Sequence, residues 1–110
     1  MYVIPTRLTP ADIVNAPLSP GRLSRLALET PDIELRHYAP EGVDQQVPHD
    51  RDELYFVISG TGIFLRGDER VTFGPGDVLY AAAGEPHRFA EFSAGFSTWV
   101  VFYGPRTRPG

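Results

Sequence analysis

From Leu23 onward, apolar and polar residues alternate along most of the chain, and glycine or proline interrupts the alternation at short intervals. Alternation with period two marks a half-buried β-strand, because successive side chains leave opposite faces of the pleat. Residues 25–29 and 33–38 read as two strands around a turn at Thr30, Pro31 and Asp32, and Pro40 and Gly42 end the second. Residues 53–59 form a third strand. A tight turn or bulge at 59–62 leads to a strand at 63–66, a hairpin tip at 67–69, and a return strand at 70–73. A second tight turn at 74–77 precedes a strand at 78–82. Residues 84–86 turn the chain into 87–92, and a loop at 93–95 leads to the last strand, 97–103. Eight or more short strands with turns at this spacing predict an all-β sandwich or closed barrel. The opening differs. Prolines at 5, 10, 17 and 20 forbid a long helix over residues 1–24, although the segment from Pro10 allows one helical turn. The predicted organisation is an arm at 1–24 lying on the body or on a partner subunit, a β-domain at 25–105, and a loose tail at 106–110.

The strand at 53–59 carries apolar residues on both faces. With Glu53 inward, Tyr55 and Val57 share its side, while Leu54, Phe56 and Ile58 face the other way. Such a strand is expected to be covered twice, once by the domain interior and once by another sheet, the arm or a second copy. A homodimer is therefore expected. Composition narrows the partners. A net charge of −4, with ten positive residues scattered and all of them arginine, leaves no basic stripe for nucleic acid. A chain of 110 residues supports one domain with one core. The absence of cysteine excludes disulfides and thiolate metal sites. The first residues hold no long apolar run, so neither a signal peptide nor a membrane span is expected, and the cytoplasm is the default location.

Chemistry concentrates in two segments, one from His49 to Gly60 and one from Gly76 to His87. Imidazole and carboxylate are the natural ligands of a divalent metal when no thiolate is present. On a straight strand His49 and Glu53 would lie roughly 13 Å apart, too far to share an ion. Pro48 and the β-branched, aromatic run at 54–58 disfavour a helix, so the two residues are expected to meet across a bend. A buried carboxylate beside Tyr55 and Val57 is costly unless paired, and a metal, Arg51 or Arg88 could pair with it. His49 and His87 could equally be structural histidines bonded to carbonyl groups.

These segments resemble the two motifs of the cupin superfamily. In the first, His49 takes the place of the second motif histidine, Glu53 that of the glutamate, and six residues separate Glu53 from Gly60. In the second, Gly76, Gly84 and His87 fall at the motif spacing. Three positions depart from the pattern: Val47 replaces the first histidine, Ala82 the proline and Glu91 the final asparagine. The resemblance spans roughly residues 33–103. It implies a jelly-roll β-barrel (a double-stranded β-helix) and a divalent metal, Fe, Zn, Ni or Mn, held by His49, Glu53 and His87. His37, Gln46 or Gln45 could replace the missing ligand, and Glu91 could orient His87. Tyr55, Val57 and Phe89, with Trp99 or Tyr103, would wall a pocket for a small molecule, and Arg36 could meet a carboxylate there. The resemblance implies dioxygenation, isomerisation or decarboxylation of a small organic molecule. A non-catalytic binding or sensing module is a second reading, and a sugar-binding or sugar-isomerising protein a third.

Overall fold

The computed structural model describes residues 4–104. Eight strands follow one short helix: α1 (Pro10–Ile13), β1 (Ser24–Glu29), β2 (Ile33–Tyr38), β3 (Asp52–Ser59), β4 (Gly62–Arg66), β5 (Glu69–Phe73), β6 (Val78–Ala81), β7 (His87–Ala90) and β8 (Ser97–Tyr103). The alternation thus located every strand to within two residues, β2 and β8 without error. The tail proposed for residues 106–110 lies outside the described residues. Residues 4–23 contain α1 and no strand. The helix starts where Pro10 supplies a fixed φ, and Asp12 accepts hydrogen bonds from the Thr9 amide at 2.7 Å and hydroxyl at 2.9 Å. No helix among the described residues is long and apolar enough to cross a membrane.

The strands form two antiparallel sheets, ordered β1-β2-β8-β3-β6 and β5-β4-β7. The alternation predicts such an all-β, two-sheet arrangement, and the jelly roll is what the cupin resemblance implies. Sequence neighbours pair where the turns are tight, as in β1–β2 and β4–β5. The central strand β8 inserts between β2 and β3, so residues distant in sequence meet in register, with Tyr55 opposite Val100 and Glu53 opposite Phe102. Between the sheets lies an aromatic core. Phe89 is fully buried, and its ring centroid lies 4.8 Å from Phe96, 5.0 Å from Tyr55, 5.2 Å from Phe64 and 5.5 Å from Phe73. Gly60 makes the turn after β3 possible. Its φ is +87°, and a Cβ placed there would stand 2.6 Å from the Phe96 Cα.

The outer face of the larger sheet is also apolar. Leu54 and Ile58 are half buried there, and Phe56 is 40% exposed. Pro5, Thr6 and Leu8 of the arm border a groove on this face with Leu28, Leu35, Phe56, Trp99 and Val101.

Candidate functional site

The interior holds the aromatic core and a cavity of about 310 Å³, and Tyr38, Tyr55, Val100 and Phe102 belong to both. β3 connects them. Its inward residues are Glu53, Tyr55 and Val57, of which the first two reach the cavity while Val57 belongs to the core. Glu53 and Tyr55 are fully buried. β7 pairs with β4 on the opposite sheet and brings His87 to meet them. The His87 Nε2 lies 3.0 Å from the Tyr55 hydroxyl and 3.0 Å from Glu53 Oε2. On its other side, the Nδ1–H donates to the Glu85 carbonyl at 2.7 Å. A carbonyl can only accept, so Nδ1 carries a proton and Nε2 is the nitrogen presented to Glu53 and Tyr55. Burial opposes charge on His87, but hydrogen bonds to Glu53 and to the Glu85 carbonyl outweigh it, and the pKa is raised.

A fourth residue joins them from the loop before β3. The Gln46 Oε1 lies 2.9 Å from the Tyr55 hydroxyl, which is itself 2.9 Å from Glu53 Oε1. The orientation of the Gln46 amide follows from its other end, because Nε2 donates to Asp44 Oδ2 at 2.7 Å. Asp44 is buried and holds this loop against the barrel. It also accepts bonds from the Phe89 amide at 2.8 Å, the Gln46 amide at 3.1 Å and the Tyr38 hydroxyl. Burial and the neighbouring Glu53 carboxylate push the Tyr55 phenol well above its ordinary pKa, so it stays protonated.

Counting protons exposes a shortage. Four contacts link Gln46, Tyr55, Glu53 and His87, and each requires one hydrogen between its two atoms. The phenol supplies one and a charged imidazole supplies one more at Nε2. Even a protonated Glu53 leaves one pair of lone pairs facing each other. With the neutral Nδ1–H imidazole, the buried Glu53 Oε2 faces the Nε2 lone pair at 3.0 Å and receives no hydrogen bond. Such a collection of nitrogen and oxygen lone pairs, short of protons, fits a cation.

The structure brings Glu53 and His87 together and leaves His49 apart. His49 lines the same cavity, but its ring lies edge-on to Phe102 at 4.8 Å, and its carbonyl accepts the Gly84 amide at 2.7 Å. That main-chain bond joins the turns of the two sequence segments. Among the described residues, no three His, Cys, Asp or Glu side chains gather as ligands for one ion. Val47, at the position of the missing histidine, is 66% exposed.

Several sequence expectations are corrected. His37 is buried on the outer face of β2, edge-on to Trp99 at 5.5 Å, because Glu34, Arg36 and Tyr38 are the residues of β2 that face the cavity. Trp99 and Tyr103 likewise fall on the outward parity of β8, and Val100 and Phe102 line the cavity instead. Phe89 packs in the core. Glu91 does not orient His87. It follows β7 in a left-handed conformation with φ of 48°, and its carboxylate accepts from Arg70 at 2.8 Å. Gln45 lines the cavity with Gln46. Neither arginine considered for Glu53 reaches it: Arg51 pairs with Glu34, and Arg88 is exposed.

Sequence reasoning missed Glu34, Asp44 and the role of Arg51. Glu34 is buried, with guanidinium nitrogens of Arg36 at 2.7 Å, Arg51 at 3.4 Å and Arg22 at 3.7 Å. The available signal was the run Glu34, Arg36, Tyr38, a wholly polar-faced set on alternate positions of one strand.

Comparisons with known proteins agree with this architecture. The Cupin domain matches residues 34–101. The Streptomyces coelicolor protein SCO3923, itself uncharacterised, is 39% identical over 64 residues, which are 58% of this chain and 61% of that protein. The chain thus spans less than two thirds of the length of this relative. Among solved structures, a Rhizobium leguminosarum protein of unknown function is 26% identical with a TM-score of 0.72, over 92% of this chain and 98% of the other. An RmlC-like cupin family protein with a double-stranded β-helix fold, from Methanocaldococcus jannaschii, aligns with a TM-score of 0.64 at 12% identity, over 82% and 88% of the two chains. KdgF from a Halomonas species aligns with a TM-score of 0.66 at 18% identity, over 81% and 87%. The last two likenesses concern the fold.

Proposed function

The chain belongs to the cupin family, and on that premise we propose that its barrel cavity binds a small organic molecule beside a divalent metal. Glu53, His87 and the amide oxygen of Gln46 would hold the ion, with His49 serving as a cavity wall rather than as a ligand. The observation that carries this reading is the proton shortage around Tyr55, together with the buried Glu53 Oε2 that faces the His87 Nε2 at 3.0 Å. One imidazole, one carboxylate and one amide oxygen suit iron, manganese, nickel or zinc. A bound metal would supply Lewis-acid polarisation of a ligand oxygen. The residues of the chain do the rest. The Glu85 carbonyl holds the His87 ring in one tautomer, Asp44 aims Gln46, and Phe64 and Phe89 close the apolar side against water.

Metal analysis of the purified protein by mass spectrometry tests this. Near-stoichiometric metal is expected, falling at least about tenfold in Glu53→Gln and in His87→Ala, the loss usual when a ligand or its support is removed. Gln46→Ala should lower occupancy, and His49→Ala should leave it unchanged. Protein that takes up none of the four metals would refute the proposal and favour metal-independent binding in the same cavity. Metal lost in His49→Ala but kept in Gln46→Ala would reassign the third ligand.

A further inference from the structure

We propose that the molecule taken by this cavity is a small organic anion of the carboxylic acid class, recognised by an arginine cluster in which Arg22 is the mobile recognition arm. The proposal rests on the cavity reading above and is independent of the metal. Its basis is charge. Three guanidiniums, those of Arg22, Arg36 and Arg51, converge on the single carboxylate of Glu34 along one wall of the cavity. Arg36 and Arg51 are buried, so their charges are poorly served by solvent. Of the other lining carboxylates, Asp50 is at the exposed rim and Glu53 contacts Tyr55 and His87, while the arginines pair with Glu34. One carboxylate against three cations leaves positive charge on this wall, and a desolvated positive wall favours an anion.

The donors differ in readiness. Arg36 is held by the Ser24 hydroxyl at 2.7 Å and the Ser24 carbonyl at 2.9 Å. Arg51 is held by the carbonyls of Gly104 at 3.1 Å and Asp32 at 3.2 Å. These two are fixed and set the potential. Arg22 sits on the segment before β1, its side chain 51% exposed and its guanidinium a long 3.7 Å from Glu34. It can therefore turn its planar fork onto a carboxylate without breaking a strong bond. Beyond the arginines, Leu23, Tyr55, Val100 and Phe102 supply an apolar lining for the ligand body. The volume is at the small end of the range for organic ligands, about 300–1,000 Å³.

Matched acid and amide pairs test the proposal: benzoate against benzamide, and hexanoate against hexanamide. Binding is followed by calorimetry and by NMR shifts, on the protein as purified and after chelator treatment. Each acid is expected to bind at least about tenfold more tightly than its amide, in both preparations. Arg22→Gln should bring the pair to within about threefold, and Arg22→Lys should retain part of the preference, because charge survives and the fork does not. Arg22 is half exposed and outside every strand, so these variants are expected to fold, and circular dichroism checks it. Equal binding of acid and amide, no binding of either at millimolar concentration, or a preference undiminished in Arg22→Gln would each overturn the proposal. A preference abolished by chelator but kept in Arg22→Gln would also overturn it and assign recognition to the metal. A preference that survives in protein devoid of metal supports it and leaves the metal reading to fall alone.

Discussion

Removing the Asp44 carboxylate should destabilise the domain and disorganise the site together, because one side chain joins the loop at 44–46 to the core. Its two oxygens accept bonds from the Tyr38 hydroxyl, the Gln46 amide, the Gln46 side chain and the Phe89 amide. Tyr38 and Phe89 are buried, so Asp44→Ala leaves two donors with no access to water. Hydrogen bonds to a charged acceptor contribute about 1.5–3 kcal/mol each, and the two Gln46 bonds, partly exposed and local, contribute far less. The expected loss is therefore about 3–6 kcal/mol, a large part of the ~5–15 kcal/mol that holds a domain together. Asp44→Asn should not rescue it. Each carboxylate oxygen faces a main-chain N–H, Gln46 on one side and Phe89 on the other, so the new amide must point a donor at a donor. Urea unfolding followed by Trp99 fluorescence measures the effect, with a midpoint shift on the order of 2 M for a slope of ~1–3 kcal/mol/M. Metal content should fall as well, because Gln46 loses the bond that aims its amide. An Asp44→Asn protein within about 1 kcal/mol of the parent would refute the argument, since a bond of ordinary strength would then be all that was lost.

Other outcomes follow from the same structure. Gly60→Ala should lose about 2–5 kcal/mol in urea unfolding, combining a left-handed backbone with overpacking against the Phe96 main chain; a loss below about 1 kcal/mol would mean that the turn relaxes freely. Burial, reinforced by Arg25, lowers the pKa of His37, so the unfolded chain binds the proton more readily than the folded one. The stability this neutral histidine contributes should be complete above pH ~6.5 and decline as pH falls through that value towards its folded pKa. His37→Gln should flatten that part of the profile between pH ~5 and ~7.5, and an unchanged slope would show that other groups set it. The metal contents of the Glu53, His87, Gln46 and His49 variants, and the acid preference of Arg22→Gln, complete the set.

Strand positions were legible in the chain because alternation and turn residues are local signals. Glu53 and His87 were legible because each stands at the start of a strand and at the spacing of the two cupin motifs, and Tyr55 because it shares the parity of Glu53 on β3. The partner of His87 was not. Glu91, four residues on, looked available, yet the left-handed residue after β7 carries it out to Arg70, and a main-chain carbonyl two residues back takes the role. Gln46 was one of several candidates, and what singles it out is Asp44, whose hold on it depends on β7 being adjacent in space.

The sequence alone determined an all-β domain of eight or more short strands, and its two spaced segments pointed to the cupin family. It did not determine which face of β2 or of β8 turns inward. Alternation defines two faces and is silent about which one meets the core. On β2 the polar face went in, against the usual preference, because Glu34 pairs there with Arg36 and Arg51 and Tyr38 finds Asp44. Their compensation comes from residues as far apart in sequence as Glu34 and Arg51. Only the pairing of β2, β8 and β3 in one sheet brings them together.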